Sequence, residues 1–122
     1  MKKLECLGII GYTHAWIRSF LSKRSQCVRV EDEYSSWMDV KSGVPEGSVL
    51  GPILFVIFIN DMPEMVKNMC QLFADDAKLF SSVDLRDDTQ KNILQQDIHA
   101  LSLWSDIWQL PINIGKCKVL HI

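Results

Sequence analysis

The sequence lacks a long apolar run. Its longest one, residues 53–59, has seven members, whereas a helix that crosses a bilayer needs about 20 apolar residues. Residues 1–7 carry charge but no sustained apolar segment, unlike a secretory signal peptide. We therefore expect an intracellular protein, in the nucleus or the cytoplasm, that contacts no membrane and is not secreted.

The sequence also lacks a cysteine pattern. Its four cysteines lie far apart, no C-x-x-C occurs, and the three histidines are equally scattered. Structural zinc sites and disulfide scaffolds both place their ligands or cysteines at short, repeated spacings. The spacing here argues against both and favours reduced thiols in an intracellular protein.

A strong positive charge is absent as well. The net charge is −2, whereas a free-standing nucleic-acid-binding domain is usually basic. The charge is uneven, because residues 1–30 hold six basic groups against Glu5, giving +5, and residues 31–122 hold seven against fourteen acidic groups, giving −7. The basic front end could bind phosphates or could be an ordinary solvated surface.

Hydrophobic spacing predicts three helices. Apolar side chains recur at helical intervals over residues 12–22 and 87–108. In the second helix the predicted apolar face consists of Leu94, Ile98, Leu101, Trp104 and Trp108. The apolar run 53–59 suits a buried strand or a buried helix, but Ser48 as an N-cap and Pro52 near the first turn favour a helix from about 48 to 61.

The remaining apolar stretches predict strands. Residues 26–30 and 36–41 are expected to form a hairpin with a loose loop, residues 70–80 a second hairpin, and residues 117–122 a last strand. Residues 81–88 form a polar link. The predicted fold class is α/β (α+β), with one antiparallel sheet of about three to five strands.

Residues 42–52 carry unusual backbone demands. They include three glycines and two prolines, and small residues let a ligand or another backbone approach closely. Backbone N–H groups at a following helix start could bind an anion. The alternative is a loop and helix cap without a ligand.

Asp75 and Asp76 lie together at the tip of the predicted hairpin 70–80. A tight turn can bring both carboxylates to one side, where they repel each other unless a cation lies between them. Mg²⁺ prefers such oxygen ligands. The alternative is a solvated turn, because Asp is a favoured turn residue.

Taken together, these blocks resemble the reverse transcriptase domain of non-LTR retrotransposons, the LINE and jockey-like elements. Residues 8–11 with 16–21 resemble the helix before the family's second motif, and residues 42–52 leading into 59–63 resemble that motif. Residues 73–76, Phe-Ala-Asp-Asp, resemble the polymerase metal-binding motif. Residues 113–118 and 119–122 resemble the next motif, with its lysine.

The resemblance implies RNA-directed DNA synthesis, a template-directed nucleotidyl transfer by two Mg²⁺ ions. It gives the metal-binding and catalytic roles to Asp75 and Asp76, and a catalytic role beside the triphosphate to Lys116, with Lys118 as the alternative. It implies an RNA template, a DNA primer and a dNTP as partners. The substrate-binding residues would be Ser42, Gly43, Pro45, Glu46 and Gly47.

The resemblance also implies an incomplete polymerase palm, with helices packed on one face of its sheet. We expect residues 1–122 to be a single partial domain, built from helix 12–22, loop and helix 42–63, hairpin 70–80, helix 87–108 and the lysine motif and strand 113–122. The first catalytic strand with its aspartate, the fingers and the thumb are expected to be missing. Glu46 replaces the family's glutamine and Ala77 its threonine.

Two expectations follow. The isolated chain should be inactive, because two carboxylates without a third hold metal weakly, and it should self-associate through an exposed apolar face and an unpaired sheet edge. The alternative function is a non-catalytic module that binds nucleic acid or another protein.

Overall fold

Short helices and short strand pairs alternate along the chain. The computed structural model describes residues 1–82, 86 and 88–121. In chain order the elements are α1 (Lys2–Cys6), α2 (Gly11–Leu21), β1 (Arg24–Gln26), β2 (Arg29–Val30), β3 (Glu33–Tyr34), β4 (Met38–Val40), α3 (Leu50–Ile59), a 3₁₀ turn (Met62–Met65), β5 (Met69–Phe73), β6 (Asp76–Phe80), α4 (Asp88–Trp108) and a second 3₁₀ turn (Ile114–Lys116).

The chain divides into two compact units. The first contains Met1–Ile59 and the second Asn60–Ile122. The single partial domain expected from the sequence stays a prediction. The central part of the polar link 81–88, the expected helix start at residue 87 and the end of the last strand at residue 122 lie outside the described residues.

The core of the first unit joins its three helices. Leu4 of α1, Ile17 of α2 and Leu54 of α3 are 4%, 5% and 7% exposed and form one cluster. Burying an aliphatic side chain of this size stabilises a fold by about 1.5–3 kcal/mol. The Lys3 ammonium also donates to the backbone oxygen of Phe58, near the C-terminal end of α3, where a positive charge is favourable.

Between α2 and α3 the chain forms one interrupted antiparallel ribbon. β1 pairs with β4, and further along β2 pairs with β3. At the interruption the Ser35 hydroxyl accepts a hydrogen bond from the Val28 N–H, and the Ser35 N–H donates to the Val28 oxygen, both over 2.9 Å. The expected loose loop over 31–35 is therefore wrong, because a short ladder continues almost to its tip.

The second unit is centred on Trp104 of α4, which is 2% exposed. Its indole N–H donates to the Asp61 carboxylate over 3.0 Å. The Met62 side chain, in the 3₁₀ turn that follows, is 8% exposed. The hydrogen bond satisfies the one polar atom of the indole ring, so the ring can be buried without leaving its donor unpaired.

The apolar face predicted for α4 is correct only in part. Trp104 is buried, but Ile98 is 49% exposed and its neighbour Asp97 is 2% exposed. Leu94, Leu101 and Trp108 are half-buried as predicted. Only Ile98 is misplaced, because the neighbouring Asp97 carboxylate, with its hydrogen-bond partners, takes the interior position that the apolar spacing gives to isoleucine.

The mixed helix and antiparallel strand class is confirmed, but two details are wrong. Among the described residues the strands form three separate two-stranded pairs and not one sheet. The last strand is absent over residues 117–121, which follow the 3₁₀ turn Ile114–Lys116 and are exposed. A strand needs a neighbouring edge for its hydrogen bonds, and none of the described strands pairs with this segment.

No helix in the described part of the chain combines the length and the apolarity needed to span a bilayer.

Candidate active site

The predicted hairpin is present, and we call residues 69–80 the aspartate hairpin. β5 and β6 pair in antiparallel register from Met69 opposite Phe80 to Phe73 opposite Asp76. Ala74 and Asp75 form the two-residue turn between them. Ala74 has a φ of 51°, in the left-handed region that costs a residue with a Cβ atom about 1 kcal/mol or more.

The turn places the two predicted metal ligands next to each other. Asp75 is the second turn residue and Asp76 the first residue of β6, and both are exposed. Neither carboxylate takes part in a hydrogen bond or an ion pair with another described residue. Their oxygen atoms can therefore face water or a ligand.

The donor set fits a hard divalent cation in part. Mg²⁺ is usually held by one or two carboxylates and completed by water and substrate phosphates, which two adjacent exposed aspartates can supply. Over residues 1–82, 86 and 88–121, no group of three or more His, Cys, Asp or Glu side chains could hold a metal ion. Asp61, which lies in the same unit as the pair, therefore adds no third ligand.

The base of the aspartate hairpin is fixed by Asp97 of α4. The two oxygens of this buried carboxylate accept hydrogen bonds from the backbone N–H groups of Lys67 and Asn68, both over 2.9 Å. The side-chain amide of Asn68 donates a third over 2.7 Å. These residues lead directly into β5, so α4 determines where the hairpin begins.

These contacts shift the pKa of Asp97. Burial alone would raise the pKa of the carboxyl, but the hydrogen bonds from Lys67 and Asn68 and the positive charge of Lys67 outweigh burial and hold the pKa below its ordinary value. The carboxylate is therefore ionised at neutral pH, which is the form that accepts all three hydrogen bonds.

Cys70 lies on the inner face of the same hairpin. Its side chain is half-buried, as are those of Leu72 and Leu79 on that face. Burial and the nearby charge of Asp97 raise the pKa of the Cys70 thiol, so the thiol stays protonated and is a poor metal ligand. The inner face of the hairpin is therefore used for packing, and the side chains that a ligand can reach lie at the hairpin tip.

The second candidate region, in the first unit, is residues 42–52, which we call the Gly/Pro loop. It turns at Pro45–Ser48, where the Ser48 N–H donates to the Pro45 oxygen over 3.4 Å and Gly47 has a φ of 73°. The glycine conformation suits the third position of a type II turn. Ser42, Gly43, Glu46 and Gly47 are exposed and Pro45 is half-buried.

The predicted helix cap after this turn is confirmed. The Ser48 hydroxyl accepts a hydrogen bond from the Gly51 N–H over 3.1 Å and donates to the Pro45 oxygen over 2.6 Å. A Cβ atom on Gly51 would lie 2.8 Å from the Pro45 oxygen. Gly51 is therefore needed for close contact between the helix start and the turn.

Arg24 holds the other end of the Gly/Pro loop. One guanidinium nitrogen, Nη2, donates to the backbone oxygens of Ser42 and Gly43 over 3.2 and 2.7 Å. The Nε atom donates to the Leu21 oxygen at the end of α2 over 3.0 Å. Sequence reasoning missed both Arg24 and Asp97, because their partners, except the Asn68 side-chain amide, are backbone groups that no residue pattern reveals.

Lys116, the predicted catalytic lysine, has contacts within its own turn and none that it shares with the two aspartates among the described residues. It closes the 3₁₀ turn Ile114–Lys116, where its N–H donates to the Asn113 oxygen over 3.0 Å, and its side chain is exposed. Neither Lys116 nor Lys118 forms an ion pair with Asp75 or Asp76 among the described residues. Asp75 and Asp76 thus lie together at one hairpin tip, the five loop residues lie in one loop, and all the assigned roles stay predictions.

Sequence comparison identifies the class of protein that carries these elements. The profile of the reverse transcriptase (RNA-dependent DNA polymerase) family matches residues 1–121. The chain therefore belongs to the reverse transcriptase family, and the resemblance to polymerases of non-LTR elements is confirmed. The family implies a divalent metal cofactor and the binding of a nucleic-acid template and primer.

Individual relatives show which members of the family the chain is similar to. The chain is 34% identical over 110 residues to the RNA-directed DNA polymerase from mobile element jockey of Drosophila melanogaster, covering 83% of this chain and 12% of the relative. It is 36% identical over 110 residues to the polymerase of the same name from Drosophila funebris, with the same coverage. The chain thus spans about 12% of these relatives. No solved structure gives a significant match.

Proposed function

We propose that this chain forms part of an RNA-directed DNA polymerase, which adds deoxynucleotides to a DNA primer on an RNA template. One observation carries the proposal: in a member of the reverse transcriptase family, the tip of a hairpin exposes two aspartates that are adjacent in the chain, Asp75 and Asp76. The alternative, a turn that contacts only water, would require neither membership of a polymerase family nor a hairpin base fixed by Asp97.

In this proposal Asp75 and Asp76 hold Mg²⁺ at the hairpin tip. Two bound ions would lower the pKa of the primer 3′-hydroxyl and neutralise charge on the triphosphate. The Gly/Pro loop presents its backbone at Ser42, Gly43, Pro45 and Gly47 to the template and the dNTP. Lys116 contributes positive charge beside the triphosphate, with Lys118 as the alternative.

The 122-residue polypeptide by itself is proposed to be inactive. Its described residues supply two carboxylates and no third ligand, and catalysis requires metal, primer and nucleotide to be held together in one geometry. Glu46 adds an exposed negative charge to the Gly/Pro loop, which disfavours phosphate nearby. Purified polypeptide with Mg²⁺ or Mn²⁺ and a primed RNA template should give no extension above background.

A chimeric enzyme tests the polymerase function itself. Residues 1–122 would replace the matching segment of the Drosophila melanogaster jockey polymerase, and primer extension would be measured on an RNA template. Asp75→Asn in the chimera should lower the rate by about a hundredfold or more, because the metal loses a charged ligand. Asp39→Asn is the matched control. Equal extension by the Asp75→Asn and unsubstituted chimeras would contradict the proposal.

Two further parts of the proposal concern the surroundings of the protein. We place it inside the cell, in the nucleus or the cytoplasm, without a membrane partner.

The isolated polypeptide self-associates, since Tyr12, Trp37 and Val49 are 97%, 69% and 86% exposed and exposed apolar groups favour association. Light scattering at rising concentration should give an increasing mass, and a constant monomer mass would exclude this.

A further inference from the structure

A second surface, on α2, has the composition of a phosphate-binding site. Residues 6–30 contain no acidic side chain, and α2 lies within this stretch. A shallow cleft runs along the helix and past its C-terminal end. The cleft is lined by His14, Ala15, Arg18, Ser19, Ser22 and Lys23.

Helix geometry explains why four of these residues share one flank. His14 and Arg18 are four apart within α2, as are Ala15 and Ser19, and side chains four apart are neighbours on a helix surface. Ser22 and Lys23 follow the last helical residue, Leu21, and complete the lining where the chain leaves the helix. Another flank of α2 carries Ile17 into the core of the first unit. The cleft residues are therefore not required to bury α2, apart from the mostly covered ring of His14, which is 9% exposed.

Arg18 and Lys23, the two cationic side chains of the cleft, differ in their contacts from the nearby arginines. Arg24 is bound to three backbone oxygens, and Arg29 contacts Asp32 over 3.5 Å and donates to the Glu31 oxygen over 2.7 Å. The exposed Arg18 and Lys23 side chains form no hydrogen bond or ion pair with any described residue. Their charges are available to an external anion.

The rest of the lining suits an oxyanion as well. Ser19 offers an exposed hydroxyl, and Ala15 leaves room between the longer side chains. The Ser22 hydroxyl already donates to the Arg18 oxygen over 2.6 Å, so Ser22 shapes the cleft without donating to a ligand. Arg18 is the main recognition group, because a guanidinium can donate two parallel hydrogen bonds to one phosphate.

Two negative features limit the affinity. The C-terminal end of a helix carries a partial negative charge, and Arg18 and Lys23 lie at that end of α2. The Glu5 carboxylate lies 3.0 Å from His14 Nε2, although that nitrogen makes no hydrogen bond, so the ring N–H is not directed at the oxygen. Binding at this cleft should therefore be weak, driven by Arg18 and Lys23, and sensitive to salt.

We propose that the α2 cleft binds about two consecutive phosphates of a nucleic-acid backbone, and that Arg18 and Lys23 are its charged contacts. The choice of nucleic acid over another polyanion rests on the proposed polymerase function. The position of the cleft does not depend on that function, since it follows from charge and helix geometry. The site needs neither the aspartate hairpin nor a bound metal.

Fluorescence anisotropy with labelled 20-nucleotide RNA and with labelled 20-nucleotide DNA, without divalent metal, tests the cleft. The unsubstituted polypeptide should bind both at 50 mM salt. The double variant Arg18→Gln/Lys23→Gln should bind about tenfold more weakly, and the slope of log affinity against log salt should fall by about 1.4, as expected for two lost single-strand contacts. Circular dichroism should give the same helix content for both proteins.

A matched control separates the cleft from net charge. Lys2→Gln/Lys41→Gln also changes the net charge from −2 to −4 but alters two exposed side chains outside the cleft, and should keep the full salt slope. Equal weakening by both double variants, or no binding by the unsubstituted polypeptide, would overturn the inference. The anisotropy measurement contains no divalent metal and therefore does not depend on the aspartate hairpin, so failure of the cleft and failure of the metal hairpin are distinguishable.

Discussion

The aspartate hairpin and the Gly/Pro loop reach defined shapes by different means. The hairpin tip is set by a backbone ladder from Met69 to Phe80, and one side chain, Asp97, fixes its base. The loop has no ladder and is held by side chains that grip its backbone, chiefly Arg24 and Ser48. Regular strand pairing thus positions the two proposed metal ligands, whereas side-chain contacts fix the irregular backbone that is proposed to bind the substrates.

These two kinds of support determine which substitutions should destabilise each region most. A ladder distributes its hydrogen bonds over many residues, so one exposed substitution within it has little effect. A clamp concentrates several bonds on one side chain, so its removal frees several backbone groups at once. The most damaging substitutions should therefore lie at Asp97 and Arg24, outside the residues that are proposed to touch substrate.

Asp97→Ala should have the largest effect on stability. Three donors from Lys67 and Asn68 lose their acceptor, which should lower the free energy of unfolding by about 3 kcal/mol. Urea unfolding followed by tryptophan fluorescence measures this. Asp106→Ala, at an exposed position of the same helix, should change the free energy by less than about 0.5 kcal/mol. Equal effects would exclude a clamp at Asp97.

Acid should weaken the same contact. The pKa of Asp97 lies below its ordinary value in the folded state, so its contribution to stability is complete above the unfolded pKa and is lost as pH falls through the lower folded value. Urea midpoints should therefore drop below about pH 4. The Asp97→Ala protein should lose less stability over this range, and an equal loss would contradict the assignment.

Arg24→Gln should act on the Gly/Pro loop and not on the aspartate hairpin. Loss of three charge-assisted hydrogen bonds from a half-buried arginine should destabilise the loop by about 2 kcal/mol, or about thirtyfold faster amide exchange. The Ser48 and Gly51 amides report on the loop, and the β5–β6 amides serve as the control. Arg24→Lys should not rescue, because one ammonium cannot reach three oxygens. Unchanged exchange at Ser48 would contradict the clamp.

The smallest effect is expected at the hairpin turn. Ala74→Gly removes the cost of a φ of 51° and should stabilise the protein by about 0.5–1 kcal/mol. Ala77→Gly, within β6, should instead destabilise it by up to about 1 kcal/mol. Urea midpoints of the two variants should therefore move in opposite directions. A shift in the same direction would mean that the turn is not strained.

Local sequence signals predicted much of this fold. The hairpin over 70–80 and the helix over 12–22 match Met69–Phe80 and Gly11–Leu21 to within a residue, because turn residues and apolar spacing determine them locally. The capping role of Ser48 was predictable for the same reason. The aspartate pair could be singled out from sequence because both candidate ligands are adjacent in the chain.

Features that depend on distant partners were not predictable. Asp97 meets its partners 29 and 30 residues away, and Arg24 meets Ser42 and Gly43 at distances of 18 and 19 residues. Apart from the Asn68 side-chain amide, the partners of both side chains are backbone atoms, which every residue has. The prediction of a last strand over 117–122 is wrong over the described residues 117–121 for a related reason, since a β-type pattern cannot supply the neighbouring strand that it needs.

The proposed polymerase function depends most on metal binding at the aspartate hairpin. Titration of Mn²⁺ into ¹⁵N-labelled polypeptide should broaden the amide signals of Asp75, Asp76 and their turn neighbours first, because paramagnetic broadening falls steeply with distance from the ion. The broadening at this turn should disappear in Asp75→Asn and persist in the matched control Asp39→Asn. Broadening that is spread evenly over the exposed carboxylates, or that is unchanged in Asp75→Asn, would contradict the assignment of this hairpin as the metal site.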